Sequence, residues 1–414
     1  MHVNIGPHYS NKENAVKVSK LIRQCVHCGF CNATCPTYQI LGDERDGPRG
    51  RISIIKDLLE EKPNSKETLR HLDKCLLCRN CETTCPSGVK YSQIYELGKP
   101  FLEKQIKRPV FLQLTRFIAR KLFLSSIFGL SIYTLNFFRP IIPKKFRYFL
   151  PTKTAKANIR SLKEEQVHTA KGENVLVFRG CVQKSLRPSI SKAAEQVLTL
   201  AGFNVTVASN SVCCGALEGH LSDKFGKLSR VRENIKYWGE LIEKKSIDTI
   251  LVTASACAYE IKDYASTKGL SKKEKAIGAK ITARLKDISE LLPQIYKSLK
   301  NQVSPSTDTF TFHPPCTLQH GLKITNVIEP HLEKFGYKLK KDFAEKNLCC
   351  GSAGTYSLFN PKIANELRDR KLRNIDGTGC NQILTANIGC ITHLQSGTEK
   401  SVKHWVEILA EDLV

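Results

Sequence analysis

The chain has 414 residues, enough for two or three domains with sizeable cores, and its 41% hydrophobic and 25% charged composition is that of an ordinary globular protein. Seventeen cysteines in a long chain with a polar start and no visible secretory signal argue against a disulfide framework and predict metal ligation in a reducing, cytoplasmic setting. The net charge of +25 suits nucleic acid, an anionic membrane or an acidic protein, but no zinc finger or RNA-recognition signature accompanies it, so nucleic acid is set aside.

Residues 1–100 carry eight cysteines in two tight clusters, Cys25-x2-Cys28-x2-Cys31-x3-Cys35-Pro36 and Cys75-x2-Cys78-x2-Cys81-x3-Cys85-Pro86. This is the spacing of a protein that holds two [4Fe–4S] clusters, in which three thiolates wrap one cluster and the fourth, set by the proline, faces the other. The predicted ligand sets are Cys25, Cys28, Cys31 and Cys85 for the first cluster, and Cys75, Cys78, Cys81 and Cys35 for the second. Zinc sites use two pairs of ligands and fit this pattern badly. Two cubanes in one small domain make an electron relay. His27 lies inside the first motif and reads as a solvated or supporting group, because four thiolates are already present. The insert between the motifs is helical by pattern at Leu58–Glu61 and Glu67–Leu72, and resembles the helical two-cluster domain of succinate dehydrogenase-type iron–sulfur subunits. The polar run Gly42–Arg51 either lines a cluster, docks a partner, or is a solvated loop.

Residues 101–173 contain no cysteine, and between Lys104 and Lys163 there are 14 Lys/Arg and no Asp or Glu. Leu122–Phe138 is 17 residues without a charge, short of the roughly 20 needed to span a bilayer. It reads as an interfacial helix against anionic lipid or as a helix packed on a partner subunit.

Residues 174–300 and 301–414 form an internal repeat. Cys181 and Cys316 are 135 positions apart, the pairs Cys213-Cys214 and Cys349-Cys350 are 136 apart, and Cys257 and Cys390 are 133 apart. Each pair is followed by glycine, at Gly215 and Gly351. Equal offsets at three landmarks point to a duplicated domain. Each half reads as βαβ units: strands at Asn174–Phe178, Val205–Ala208 and Ile247–Thr253 with a helix at Pro188–Leu200, then strands at Thr309–Phe312 and Gln382–Thr385 with a helix near Lys323–Phe335. Short apolar strands alternating with helices predict parallel sheets, and the cysteines fall just beyond strand C-termini, where such sheets bind ligands. The fold class is therefore α+β multidomain: a helical two-[4Fe–4S] domain followed by a duplicated α/β domain with parallel sheets.

A single cysteine, then Cys-Cys-Gly, then a further cysteine resembles the CCG domain of heterodisulfide reductase-like proteins. That pattern ends in Cys-x2-Cys, whereas Ala254 and Asn387 stand where the first of those cysteines would be. Each half then offers four thiols, Cys181, Cys213, Cys214 and Cys257, and Cys316, Cys349, Cys350 and Cys390. These are candidate ligands of further iron–sulfur centres; the alternative is that they are packing thiols. Cys380 is left over as a buried structural thiol, and His313 and His320 read as packing residues.

No G-x-G-x-x-G follows a strand and no P-loop appears, so neither a flavin nor a nicotinamide site is legible. Substrate chemistry then belongs to a partner subunit, and no catalytic residue is assigned to this chain. The segments CVHCGFCNATCPTYQILGDERDGPRGRI at Cys25–Ile52, CLLCRNCETTCPSGVKY at Cys75–Tyr91, CCGSAGTYSL at Cys349–Leu358, LTANIGC at Leu384–Cys390 and SVKHWVEIL at Ser401–Leu409 together resemble the iron–sulfur subunits of bacterial glycolate oxidases (glycolate dehydrogenases). The resemblance implies FAD-binding partner subunits that oxidise glycolate, and often D-lactate, with electrons leaving to a quinone or other membrane acceptor. It places the chain peripherally on the cytoplasmic face of the inner membrane. Sister families acting on lactate or glycerol 3-phosphate share both parts. A self-contained disulfide or quinone reductase acting at the CCG sites, and a scaffold with structural clusters, are the competing readings.

Overall fold

The computed structural model describes residues 1–125, 128, 134, 138, 141 and 172–414. It divides into two compact units, Met1–Arg116 with Asn347–Leu367, and Phe117–Lys346 with Arg368–Val414. The stretch expected as an interfacial helix, Leu122–Phe138, lies largely outside the described residues.

The first unit is helical. Its frame is Glu13–Arg23, Pro48–Leu59, Lys66–Asp73 and Tyr91–Gln105, and the short helices Phe30–Ala33, Pro36–Leu41 and Asn80–Thr84 carry the cysteines. Pro36 and Pro48 begin their helices, where a missing N–H costs nothing. Ser65 and Thr68 close a reciprocal capping box on Lys66–Asp73. The two helices expected in the insert are present, although Glu60 and Glu61 fall beyond the end of the first, with Glu61 at φ 59°. Helix Tyr91–Gln105 packs against both Glu13–Arg23 and Pro48–Leu59, burying Val18, Ile22, Ile55, Leu58, Ile94 and Leu102. Gly98 permits this approach, since a Cβ there would lie 2.5 Å from Ile55 Cγ2.

The second unit holds two four-stranded sheets. Strands β1 (Asn174–Phe178), β2 (Asn204–Val207), β3 (Thr249–Val252) and β4 (Leu285–Asp287) run parallel in the order β2-β1-β3-β4. Strands β5 (Thr309–Phe312), β6 (Lys338–Leu339), β7 (Gln382–Thr385) and β8 (Ser401–His404) repeat it as β6-β5-β7-β8. The duplicated sequence thus gives a duplicated topology. Residues Val175–Phe178 and all of β3 are buried, as parallel strands covered on both faces should be.

One helix differs from expectation. The stretch Lys323–Phe335 is helical only over Ile328–Lys334, and Thr317–Leu322 instead winds as a wide π turn. Lys323 and Asn326 adopt φ of 61° and 57°, which no right-handed helix can contain. The two halves interlock inside this unit. Helix Pro188–Leu200 packs on Trp405–Glu411, and Ser189 Oγ donates to Glu407 Oε1 at 2.6 Å. Among the described residues, no helix is long and apolar enough to cross a membrane.

Candidate metal centres

Both ferredoxin-type motifs fold as tight loops with left-handed residues at matching positions, His27 and Gly29 in the first and Leu77 and Arg79 in the second. In the first motif these turns bring successive thiols to one cavity. The fourth cysteine of each motif sits at a helix end that turns it elsewhere: Cys35 precedes Pro36–Leu41 and Cys85 follows Asn80–Thr84.

A cavity is lined by Cys25, Cys28, Cys31 and Cys85, with Cys81 also in its wall. Burial pushes the Cys31 thiol up to about 11, and negative charge at Cys25 and then Cys85 pushes the same way, partly offset by backbone N–H groups. Cys81 is pushed well up by burial and then by Cys78, Cys75 and Cys35. Thiol Cys31 therefore feels Cys85 of the other motif, and Cys81 feels Cys35. Buried thiols that resist ionisation alone suit a site whose occupant is cationic iron, and the donor set fits a [4Fe–4S] cluster. His27 is exposed, consistent with a solvated group.

The run Gly42–Arg51 is no solvated loop at its C-terminal end. Asp46, Gly47, Pro48, Gly50 and Arg51 are buried. Gly50 packs so closely on the turn Glu44–Asp46 that a Cβ would meet Glu44 O at 2.0 Å. This closeness seats Arg51, only 1% exposed, with Nε donating to His71 O at 2.9 Å and Nη2 donating to Thr37 Oγ1 at 3.1 Å. Asp46 receives His71 Nδ1 and Lys74 Nζ at 2.8 Å each. Thr37 Oγ1 lies 3.3 Å from Cys35 Sγ, and the Tyr91 hydroxyl donates to Cys75 Sγ at 3.3 Å. The sequence marks the run as polar, but which of its charges point inward is set by the fold.

In the first half of the repeat, four thiols gather beyond β1, β2 and β3. Cys181 opens helix Cys181–Leu186, Cys213 and Cys214 precede the left-handed Gly215, and Cys257 lies in Ser255–Lys262. The Cys181 and Cys214 thiols donate to Cys213 and hold it well down as a thiolate, while Cys181 and Cys214 are pushed up. Glu218, which no sequence motif flags, lies beside Cys213. It is buried, burial and then the Cys213 charge raise its carboxyl to about 7, and its Oε2 has no hydrogen-bond partner.

In the second half, Cys349 and Cys350 belong to the first compact unit, and Cys316 and Cys390 to the second. Gly351, at φ 90°, donates its N–H to Cys349 Sγ at 3.4 Å. Asn387, at the position of the missing cysteine, donates its amide to Cys390 Sγ at 3.7 Å. His313 reads from the sequence as a packing residue. It is buried, neither ring nitrogen has a hydrogen-bond partner, and burial followed by the Lys371 charge drives its pKa well down. His320 and Cys380 are buried. Tyr356, in the first unit, is buried with an unpartnered hydroxyl; burial raises its pKa, and the charges nearest it include Arg51, Cys75 and Cys349.

Comparison with known proteins agrees with these features. The 4Fe-4S dicluster domain family matches residues 21–89, and the cysteine-rich domain family matches residues 175–262 and 310–395. The glycolate oxidase iron-sulfur subunit of Escherichia coli (strain K12) is 38% identical over 100% of this chain and 99% of its own. The probable glycolate oxidase iron-sulfur subunit of Bacillus subtilis (strain 168) is 26% identical over 91% of this chain and 89% of its own. One chain of the dihydromethanophenazine:CoB–CoM heterodisulfide reductase of Methanosarcina acetivorans is 23% identical over 94% of this chain and 91% of its own. With both cysteine-bearing domains matched and one such relative similar from end to end, the chain belongs to the family of glycolate oxidase iron–sulfur subunits.

Proposed function

We propose that this chain carries electrons away from FAD-binding partner subunits that oxidise glycolate to glyoxylate, and D-lactate to its 2-oxo acid, towards a quinone or another membrane acceptor. The observation that carries the reading is the end-to-end likeness to the E. coli subunit, in a chain whose sequence holds eight ferredoxin-type cysteines and no nucleotide-binding motif. When bound, the clusters supply one-electron transfer. The chain's own part is to hold Cys25, Cys28, Cys31 and Cys85 around one cluster and Cys75, Cys78, Cys81 and Cys35 around the other, with Cys35 and Cys81 kept from water. The shared cavity and the mutual charge effects on Cys31 and Cys81 support this division.

Cys181, Cys213, Cys214 and Cys257, and by the repeat Cys316, Cys349, Cys350 and Cys390, would hold further centres, the first set supported by the thiol contacts around Cys213. The site of action is the cytoplasmic face of the inner membrane, held peripherally.

The test is glycolate-driven bleaching of the cluster absorbance under anaerobic conditions. We expect bleaching with the flavoprotein subunits present and none with the chain alone. Glycolate reduction of a homogeneous, flavin-free preparation would overturn the reading. The gathering of Cys181, Cys213, Cys214 and Cys257 beyond the strand ends favours a second reading, disulfide chemistry at the CCG site, for which dye-linked disulfide reduction by the chain alone is the test.

A further inference from the structure

The two ferredoxin-type sets sit in unlike surroundings. In the first, Cys28 is exposed and Cys25 buried; in the second no thiol is exposed, and both Cys35 and Cys81 are buried. One-electron reduction makes a cluster more negative by one charge, and a low-dielectric setting penalises that charge. Burial alone would leave the second cluster the harder of the two to reduce.

Two groups oppose the penalty. Arg51 is a guanidinium 1% exposed, anchored to His71 O at 2.9 Å and to Thr37 Oγ1 at 3.1 Å. Its nearest carboxylate is Asp46, 3.8 Å away, but Lys74 already meets Asp46 at 2.8 Å. Two cations share one anion, so the group of Arg51, Lys74 and Asp46 carries a net positive charge. Burial works against the charge on Arg51, and negative charge at Cys75 and Cys35 holds it on. By reciprocity, the cation stabilises negative charge at those same sulfurs. Tyr91 adds a donor, its hydroxyl reaching Cys75 Sγ at 3.3 Å, while its ring forms part of the wall of the first cavity. Hydrogen bonds to sulfur and local net charge are the levers by which a protein sets a cluster potential. The charge beside the first set is balanced instead: Arg49 is paired with Glu44 at 2.6 Å.

The geometry points to Arg51 and Tyr91 as the residues that hold up the reduction potential of the second cluster selectively. The inference rests on the ligand division proposed above. It is tested on the full chain with its clusters assembled anaerobically, by redox titration with dithionite and mediator dyes, read by electron paramagnetic resonance. The second-cluster signal is the one that Cys75→Ser removes, and the first-cluster signal the one that Cys25→Ser removes. Tyr91→Phe and Arg51→Gln are expected to move the second midpoint to lower potential and leave the first in place, with Arg51→Lys moving it less than Arg51→Gln. Tyr91→Phe removes a single hydroxyl and decides the matter even if Arg51→Gln does not accumulate. An unmoved second midpoint in Tyr91→Phe, or equal movement of both midpoints, overturns the proposal. Loss of one common signal in Cys25→Ser and Cys75→Ser would overturn the ligand division itself, and the proposal with it.

Discussion

His404 shows how a single residue can tie the two halves of the repeat together and make the tie sensitive to pH. It ends β8, its Nδ1 accepts the Val406 N–H at 3.2 Å, and its Nε2 donates to Thr253 O of the first half at 2.9 Å. The Val406 bond needs Nδ1 unprotonated, and burial, partly opposed by the Thr253 carbonyl, pushes the ring's pKa down from 6.5 to about 4. The unfolded chain therefore binds a proton near pH 6.5 that the folded chain refuses until about pH 4, so stability falls as pH drops through that window. At about 1.4 kcal/mol per pH unit, this amounts to roughly 2 kcal/mol at about pH 5. His404→Asn keeps an acceptor for Val406 but has no titrating ring. It should be less stable than the parent near pH 8, yet lose about 2 kcal/mol less on going to about pH 5, as read by chemical denaturation. Parallel losses in the two proteins would show that His404 does not titrate in this way.

Helix Val110–Leu124 has no buried residue. Val110, Phe111, Leu114, Phe117, Ile118 and Leu122 are all exposed and recur at helical spacing, forming one apolar stripe. Ion pairs steady the helix at its start, where Arg108 meets Asp73 and Glu103 at 2.8 and 2.7 Å, and near its end, where Arg120 meets Asp223 at 2.7 Å. The surrounding sequence, Lys104–Lys163, has basic but no acidic residues. An apolar stripe within a basic stretch matches an anionic lipid surface. The full chain should sediment with vesicles containing phosphatidylglycerol and be released by high salt. Phe111→Ser with Phe117→Ser should weaken this binding about tenfold or more, since each ring buried even in part contributes on the order of 1 kcal/mol. Binding that survives both high salt and the double substitution would rule out a peripheral contact through this helix.

For the whole molecule, the decisive measurement is iron. Two [4Fe–4S] clusters require about eight irons per chain, and occupied CCG sites would raise the number. Cys35→Ser should remove the same paramagnetic signal as Cys75→Ser, and Cys85→Ser the same signal as Cys25→Ser. If Cys35→Ser and Cys25→Ser remove one signal in common, each motif holds its own cluster.

The sequence alone determined the parts whose signal is local. Cysteine spacing declares its ligand chemistry within a dozen residues, and the βαβ rhythm of NVLVF, IDTILVT and QILT is a matter of short-range hydrophobic pattern. The repeat was legible because both copies kept their landmark cysteines, and the same strand order followed in each. Tertiary structure decided what depends on residues far apart in the chain. Arg51 and Asp46 look like any charges in a polar run until Gly50 packs on Glu44 O and turns them inward. That His313 lies buried with neither ring nitrogen hydrogen-bonded is likewise set by the fold. The segment Asn347–Leu367, contiguous with the second half of the repeat, is compact with Met1–Arg116, a grouping no local pattern encodes. Burial and charge pairing are set by neighbours from elsewhere in the chain, so they become visible only once the chain has folded.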